Sequence, residues 1–422
     1  MFKNLKGLFT NKNRDLRKRI YFTLAVLLIF VIGTTIAIPG VDVASQLDSL
    51  GFLELLNVMG GGALRNFSIF SLGVTPYITA SIIIQLLTMD IIPYFSELAK
   101  QGHTGQQKIN QITRYVGIAF AFVQGYAMSY YFLGSSVGVM QHLQVSLIMT
   151  AGTAFLLWLG DQVTQKGLGN GISLLIMAGI LISLPNMIFT AYNSLAATGT
   201  LAGIASFVLF LVVYILVIVG VIYIEGAERR IPIQYANKST ASLGKQTFLP
   251  IKINSAGVIP VIFASSLLGV PTTIAQFINN EGFTNFVTNY LDYTKPVGFI
   301  IFIVLIFFFA YFYTFVQMKP DDMAKNLQNN GGYIPGVKPG DNTSKHISQV
   351  LSRLTIVGAL FLTILSGLPI IVNSITDLPS SVSLGGTSLL IVVGVAIETY
   401  KQLESSLLSR NYSVNNSRRG RR

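Results

Sequence analysis

Residues 203–224 read GIASFVLFLVVYILVIVGVIYI, a run without a single Asp, Glu, Lys or Arg. The hydrocarbon core of a bilayer is about 30 Å thick and is crossed by roughly 20 helical residues, so this run has the length and polarity of one transmembrane helix. Five apolar stretches precede it, near residues 20–38, 73–89, 115–135, 143–160 and 171–190, and four follow, near 256–277, 297–317, 354–373 and 385–399, all of them read as free of Asp, Glu, Lys and Arg. Only helices and closed barrels satisfy the backbone inside lipid, and the stretches lack the two-residue alternation of a barrel strand. The expected fold is therefore an all-α polytopic membrane protein with ten transmembrane helices. Composition agrees: 51% of the 422 residues are hydrophobic and 11% charged, far from the average soluble domain.

Orientation follows from the cations. With a cytoplasmic N-terminus, all of the 29 Lys and Arg except Arg65 and Lys295 fall in inside segments, the asymmetry that the positive-inside rule describes. Omitting one span would scramble it. The first stretch follows a basic run, as a secretory signal does, but ends in Ile36-Ala37-Ile38-Pro39-Gly40 without a small-residue cleavage site, and is expected to stay as the first helix. The absence of cysteine excludes disulfides and thiolate chemistry. His103, His142 and His346 are scattered, suggest no metal ligand set, and read as solvated loop residues.

Five spans precede the large loop at 225–255 and five follow it, so a duplicated five-helix unit would sit inverted relative to its twin. The expected organisation is a cytoplasmic segment 1–19, an N-terminal half 20–190, a C-terminal half 203–399 with cytoplasmic loops 225–255 and 318–353, and a basic cytoplasmic tail 400–422. A local echo supports the duplication: VTPYITAS at 74–81 and VIPVIFAS at 258–265 share Val, Pro, Ile, Ala and Ser at matching positions. Both place Pro near a helix start, where its missing N–H costs little.

Between the first and second spans, residues 52–70 read FLELLNVMGGGALRNFSIF, an apolar half-helix broken at Gly60, Gly61 and Gly62 and too short to span. Consecutive glycines let a backbone bend and approach its neighbours closely. Two readings stand at this point: a short re-entrant segment packed into the protein, or an interfacial helix on the outer leaflet.

Enzyme motifs fail. Gly244-Lys245 lacks the Walker pattern, because Gln246 follows the Lys and position 239 is Ser. The run GLGNG at 167–171 has no preceding strand. No nucleophile with a base and no paired carboxylates occur at membrane depth, so no catalytic, cofactor-binding or metal-binding residue is assigned. The basic loops mix charge with Gly, Pro and aromatic residues and are longer than ordinary connectors, which suits a large docking partner; topogenic charge facing anionic lipid is the plainer reading, above all for the tail. A secondary transporter would use discontinuous helices and an inverted repeat, but ion coupling usually leaves ionisable residues inside spans. A passive or partner-driven conduit needs none, and needs instead an apolar seal against ions.

Five motifs, GGALRNFSIFSLGVTPYITASIIIQLL (61–87), GLGNGIS (167–173), ERRIPIQYA (228–236), LPIKINSAGVIP (249–260) and GGTSLLIVV (385–393), resemble in order and spacing the SecY family, the channel subunit of the bacterial Sec protein translocase, over essentially the whole chain. The resemblance implies an hourglass channel of two inverted halves in the bacterial cytoplasmic membrane, with both termini cytoplasmic. Such a channel opens across the membrane for secreted polypeptides and sideways into membrane lipids for hydrophobic segments. Carried onto this sequence, the pore ring would be Val74, Ile78, Ile176, Ile180, Ile262 and Ile391. The plug, at about 52–68, would centre on Asn57, Val58, Met59, Gly60, Gly61, Gly62, Ala63, Leu64 and Arg65. The lateral gate would include Thr79, Ile82, Gln85, Ser265 and Val270 on the second and seventh spans. Arg229, Arg230, Lys245, Lys338 and Pro339 would dock the SecA motor ATPase or a translating ribosome, including its RNA, and SecE and SecG are implied partners; nucleotide hydrolysis would belong to the motor.

Branched aliphatic side chains suit the ring, since they resist hydration of a narrow gap and offer no hydrogen bond to hold a passing peptide. One departure from the family lies at Gly336-Val-Lys338-Pro-Gly340, where Arg is usual. Lys keeps the charge but loses the planar fork that grips carboxylate or phosphate. The 237–247 loop, NKSTASLGKQT, is also less basic than the family leads one to expect. An accessory paralogue serving few substrates is the alternative within the family, and a secondary transporter is the distant one.

Overall fold

The structure, a computed structural model, describes residues 14–39, 57–88, 92–134, 137–196, 201–235, 247–277, 281–292, 295–375 and 385–419. Helices dominate: α1 (Arg14–Thr35), α2 (Thr75–Leu87), α3 (Pro93–Lys100), α4 (His103–Leu133), α5 (Val139–Lys166), α6 (Gly171–Leu195), α7 (Leu201–Gly226), α8 (Ile259–Phe277), α9 (Glu281–Phe286), α10 (Pro296–Gln317), α11 (Pro320–Asn329), α12 (Asp341–Ile375) and α13 (Gly385–Arg419). Each of the ten apolar stretches falls on one of them: α1, α2, α4 to α8, α10, α12 and α13. Among the described residues, α4, α5, α6, α7, α10 and α12 are long and apolar enough to cross a membrane, whereas the apolar run in α2 is short.

Local chemistry sets the helix starts. Pro76 and Pro260 occupy the first turns of α2 and α8, where a proline forfeits no hydrogen bond. Asn170 caps α6 through its side-chain oxygen, which accepts from the backbone N–H of Ile172 and Ser173 at 3.1 and 3.4 Å. Helix α7 is apolar on all sides and scarcely covered: Val208, Leu209, Leu216, Val219 and Ile222 are exposed, which is stable only where the surroundings are hydrocarbon or another helix.

The same packing order runs twice. Helix α2 lies against α4, α4 against α5 and α5 against α6; likewise α8 lies against α10, α10 against α12 and α12 against α13. Between the two sets, α2 and α4 touch α8, and α13 touches α6 and α7.

Three readings need correction. The loops after α7 and after α10 contain an antiparallel sheet with strand order β2-β1-β3, made of β1 (Glu228–Tyr235), β2 (Thr247–Lys252) and β3 (Gly332–Tyr333). In β1, Ile231 and Ile233 are buried with the exposed Pro232 between them, a two-residue period, and they meet Ile251, Leu327, Ile334, Ile347 and Leu351 in a separate core. The histidines are not loop residues. Helix α5 starts at Val139, a turn before the apolar run, so His142 lies on it, 2% exposed, with Nδ1 2.9 Å from Ser129 Oγ and its ring between Tyr126 and Tyr130. His103 begins α4 and is exposed, and His346 is half-buried on α12. Finally, Glu398 falls within the bounds drawn for the last stretch; it is exposed, and α13 runs past it to Arg419.

Candidate functional site

The largest apolar cluster sits where the helices converge. It takes Val26 and Phe30 from α1, Ile82 from α2, Leu156 and Val163 from α5, Leu174 and Leu175 from α6, Val261 and Ala264 from α8, Ile306 and Phe309 from α10, and Leu390 and Val393 from α13. All six residues expected in a ring belong here. Val74, Ile78, Ile176, Ile180 and Ile391 are buried members, none more than 9% exposed, and Ile262 is half-buried against them. They arrive from the N-cap and first turn of α2, from successive turns of α6, and from α8 and α13.

Two hydroxyls near this cluster are turned back on their own helices. Thr79 Oγ1 donates to the Thr75 carbonyl at 3.3 Å, and Ser265 Oγ to the Val261 carbonyl at 2.7 Å, bonds that use up the hydroxyl hydrogens. The arrangement is an apolar, closely packed cluster at the centre of the bundle.

Residues 57–65 fold against this cluster. Residues 57–59 form a single helical turn followed by a series of turns, a more broken segment than the half-helix expected, and residues 52–56 lie outside the described residues. Gly61 and Gly62 adopt φ of +72° and +80°, which glycine tolerates and L side chains rarely do. The segment closes on itself: Asn57 accepts at its carbonyl from Gly62 N–H at 2.8 Å and at Oδ1 from Arg65 N–H at 2.9 Å. Met59 and Ala63 join the central cluster, Val58 packs on it, and Leu64 enters a neighbouring one with Ile38, Phe67, Phe132 and Met149. Burial of Met59, Gly60, Gly61, Ala63 and Leu64 favours the packed segment over a helix lying on the surface; Arg65 alone of 57–65 is exposed.

Of the expected gate residues, Thr79, Ile82 and Ser265 are buried, and Ile82 shares the central cluster with Val261, Ala264 and Leu268 of α8. Gln85 is half-buried, its Nε2 3.4 Å from Ser81 Oγ. Val270 is 39% exposed and stands away from the cluster.

Arg229, Arg230, Lys338 and Pro339 are exposed, and Lys245 lies outside the described residues. Arg230 pairs with Glu228 of its own strand at 2.8 Å. The sheet joins two loops distant in sequence, pairing Gln234 with Tyr333. Glu225, buried at the end of α7, accepts from Asn254 Nδ2 at 2.6 Å, and the same amide reaches the Gly257 carbonyl at 3.1 Å. That bond fastens the base of the hairpin to the start of α8. Sequence reasoning did not single out Glu225, Asn254 or the 2.8 Å Arg114–Asp161 pair that ties α4 to α5. The only signal was their position, at the ends of apolar runs.

A bundle of apolar helices with a central apolar cluster, a folded segment packed against it and a small sheet beyond the helix ends fits a channel-like class of integral membrane protein. The family model described as SecY matches residues 68–400. The protein translocase subunit SecY of Staphylococcus aureus (strain NCTC 8325 / PS 47) is 49% identical over 428 residues, covering 98% of this chain and 99% of that protein. The corresponding subunit of Bacillus subtilis (strain 168) is 48% identical over 427 residues, with the same coverage. A solved structure described as that of a protein conducting channel superposes with a TM-score of 0.67 at 19% identity, covering 92% of both chains. The chain belongs to the SecY family.

Proposed function

We propose that this chain is a protein-conducting channel that passes unfolded secretory polypeptides across the cytoplasmic membrane and releases signal sequences and transmembrane segments into lipid between α2 and α8. One observation carries the reading: Val74, Ile78, Ile176, Ile180 and Ile391, drawn from three helices, share a single apolar cluster, and Ile262 packs against it. In this reading they form the ring, two five-helix halves surround it, and residues 57–65 are the plug beneath it. A relaxed closed state excludes ions because hydrating a narrow aliphatic gap is unfavourable. An arriving polypeptide displaces the plug and parts the ring.

Partitioning explains the sideways exit. Transfer of apolar side chains to lipid stabilises by roughly 0.8 kcal/mol per CH₂, so a dozen apolar residues can hold a gate open that a polar segment cannot. Thr79, Ile82, Gln85, Ser265 and Val270 line that path. Arg229, Arg230, Lys245, Lys338 and Pro339 form the docking face for a SecA motor or a ribosome, with ATP hydrolysis in the motor; SecE and SecG complete the assembly, and both termini are cytoplasmic.

The test is reconstitution of the full chain in proteoliposomes. Import of a secretory precursor that requires the motor and ATP is the expected result. Uptake of a small solute without any partner, and no precursor import, would overturn the reading.

A further inference from the structure

Helix α6 carries two residues whose smallness is matched to the 57–65 segment. A Cβ placed on Gly179 would collide with the Met59 carbonyl oxygen and sit 3.0 Å from Gly61 N. Reciprocally, a Cβ on Gly61 would lie 3.1 Å from Gly179 Cα. One turn further along, Ser183 Oγ donates to the Val58 carbonyl at 3.3 Å, sharing its hydrogen with the Gly179 carbonyl of its own helix at 3.2 Å. The segment and α6 thus meet through backbone at two glycines and through one shared hydrogen bond.

The chain just beyond is held differently. Ile38 N–H donates to Phe67 O and Ile69 N–H to Ile36 O, both at 3.0 Å. Phe70 stacks between Phe30 and Phe155, Thr153 Oγ1 donates to Gly73 O at 3.2 Å, and a Cβ on Gly152 would collide with the Ile69 carbonyl. Residues 67–73 are therefore fastened by α1, by Ile36 and Ile38 just after it and by α5, while residues 58–61 rest on α6 through fewer contacts.

We propose that Gly179 and Ser183 form the seat of the plug: a positioning pair that holds residues 58–61 against the ring by backbone contact, weakly enough for release, while 67–73 act as the fixed anchor. The pair lies beside ring residue Ile180 on the same helix, so a side chain that spreads α6 at the ring would also shift the seat. This rests on the reading of 57–65 as a plug, and the test separates the two.

The chain has no cysteine, so Met59→Cys and, separately, Ser68→Cys each introduce one thiol, the first on the seated part and the second on the anchor. Labelling by a membrane-impermeant maleimide is followed in the full chain in cells, with the native residues, Gly179→Ala or Ser183→Ala. Gly179→Ala is expected to speed labelling at position 59 about ten-fold or more, the effect of overpacking a close contact. Ser183→Ala is expected to speed it about two- to ten-fold, the factor that one net hydrogen bond supplies. Position 68 should not change, whereas a general loosening of the fold would expose both. Unchanged labelling at position 59 in Ser183→Ala, which removes only one oxygen, together with no change in Gly179→Ala, overturns the seat. Equal acceleration at both positions overturns it as well. Ion conductance of the same variants reports separately on the plug: faster labelling at 59 without any rise in leak would leave the seat standing and reject the plug.

Discussion

Replacing Ile78 by Asn sets an amide into the driest part of the bundle. Ile78 is 9% exposed and surrounded by the central cluster. Thr79 and Ser265 already spend their hydroxyl hydrogens on the carbonyls of Thr75 and Val261, so neither offers a hydrogen to the oxygen of the new amide. An unsatisfied buried polar group costs about 1–3 kcal/mol, and that cost disappears when water fills the constriction. The closed state therefore loses about 1–3 kcal/mol relative to a hydrated one, which raises the conducting population roughly five- to 150-fold, since 1.4 kcal/mol is a factor of ten in an equilibrium. Ile78→Val, which keeps the surface apolar, should change it far less. Ion conductance across planar bilayers measures the difference, with membrane insertion checked by protease protection. Equal leak in the native, Asn and Val forms would refute the claim that this side chain belongs to a dry seal.

Deletion of residues 57–65 should raise resting ion flux and relax discrimination against defective signal sequences while motor-driven precursor import continues; loss of the folded protein from the membrane would make the segment scaffold instead. Glu225→Ala leaves the buried Asn254 amide without its carboxylate partner and should lower stability by about 1–3 kcal/mol, read as a lower melting temperature in detergent, with Glu225→Gln intermediate because the amide oxygen still accepts. Arg230→Ala should leave that melting temperature nearly unchanged, because an exposed pair such as Arg230–Glu228 contributes about 0–1 kcal/mol, yet should weaken motor binding in a flotation assay. Lys338→Arg should strengthen binding of motor or ribosome by restoring a planar donor fork, measured at matched ionic strength.

The membrane body was legible because hydrocarbon imposes length and polarity on every span. Pro76 and Pro260 announced the two helix starts, and the echo around them paired Ile78 with Ile262 before any resemblance was invoked. Of the residues read as a ring, Ile176, Ile180 and Ile391 are ordinary aliphatics on apolar helices. Only the resemblance singled them out, since nothing in their local pattern distinguishes a constriction from a core. The sheet escaped notice because β1 shows its alternation for only a few residues and its partner Tyr333 lies 99 residues from Gln234. His142 looked solvated because the apolar run begins after it, whereas α5 begins before it. Gly179 and Ser183 carried no signal at all: small residues in a span are common, and their meaning depends on which backbone comes to rest against them.

The central claim is that a polypeptide in transit passes through the ring contributed by α2, α6, α8 and α13. The direct measurement uses the cysteine-free background: single thiols introduced at Ile78 or Ile391, and a secretory precursor with one cysteine stalled midway by a folded domain at its end. Disulfide formation from both ring positions to the stalled chain, and none from an exposed position on α7 such as Leu209, is the predicted result. A stalled precursor that links to neither ring position while still blocking further import would contradict the account.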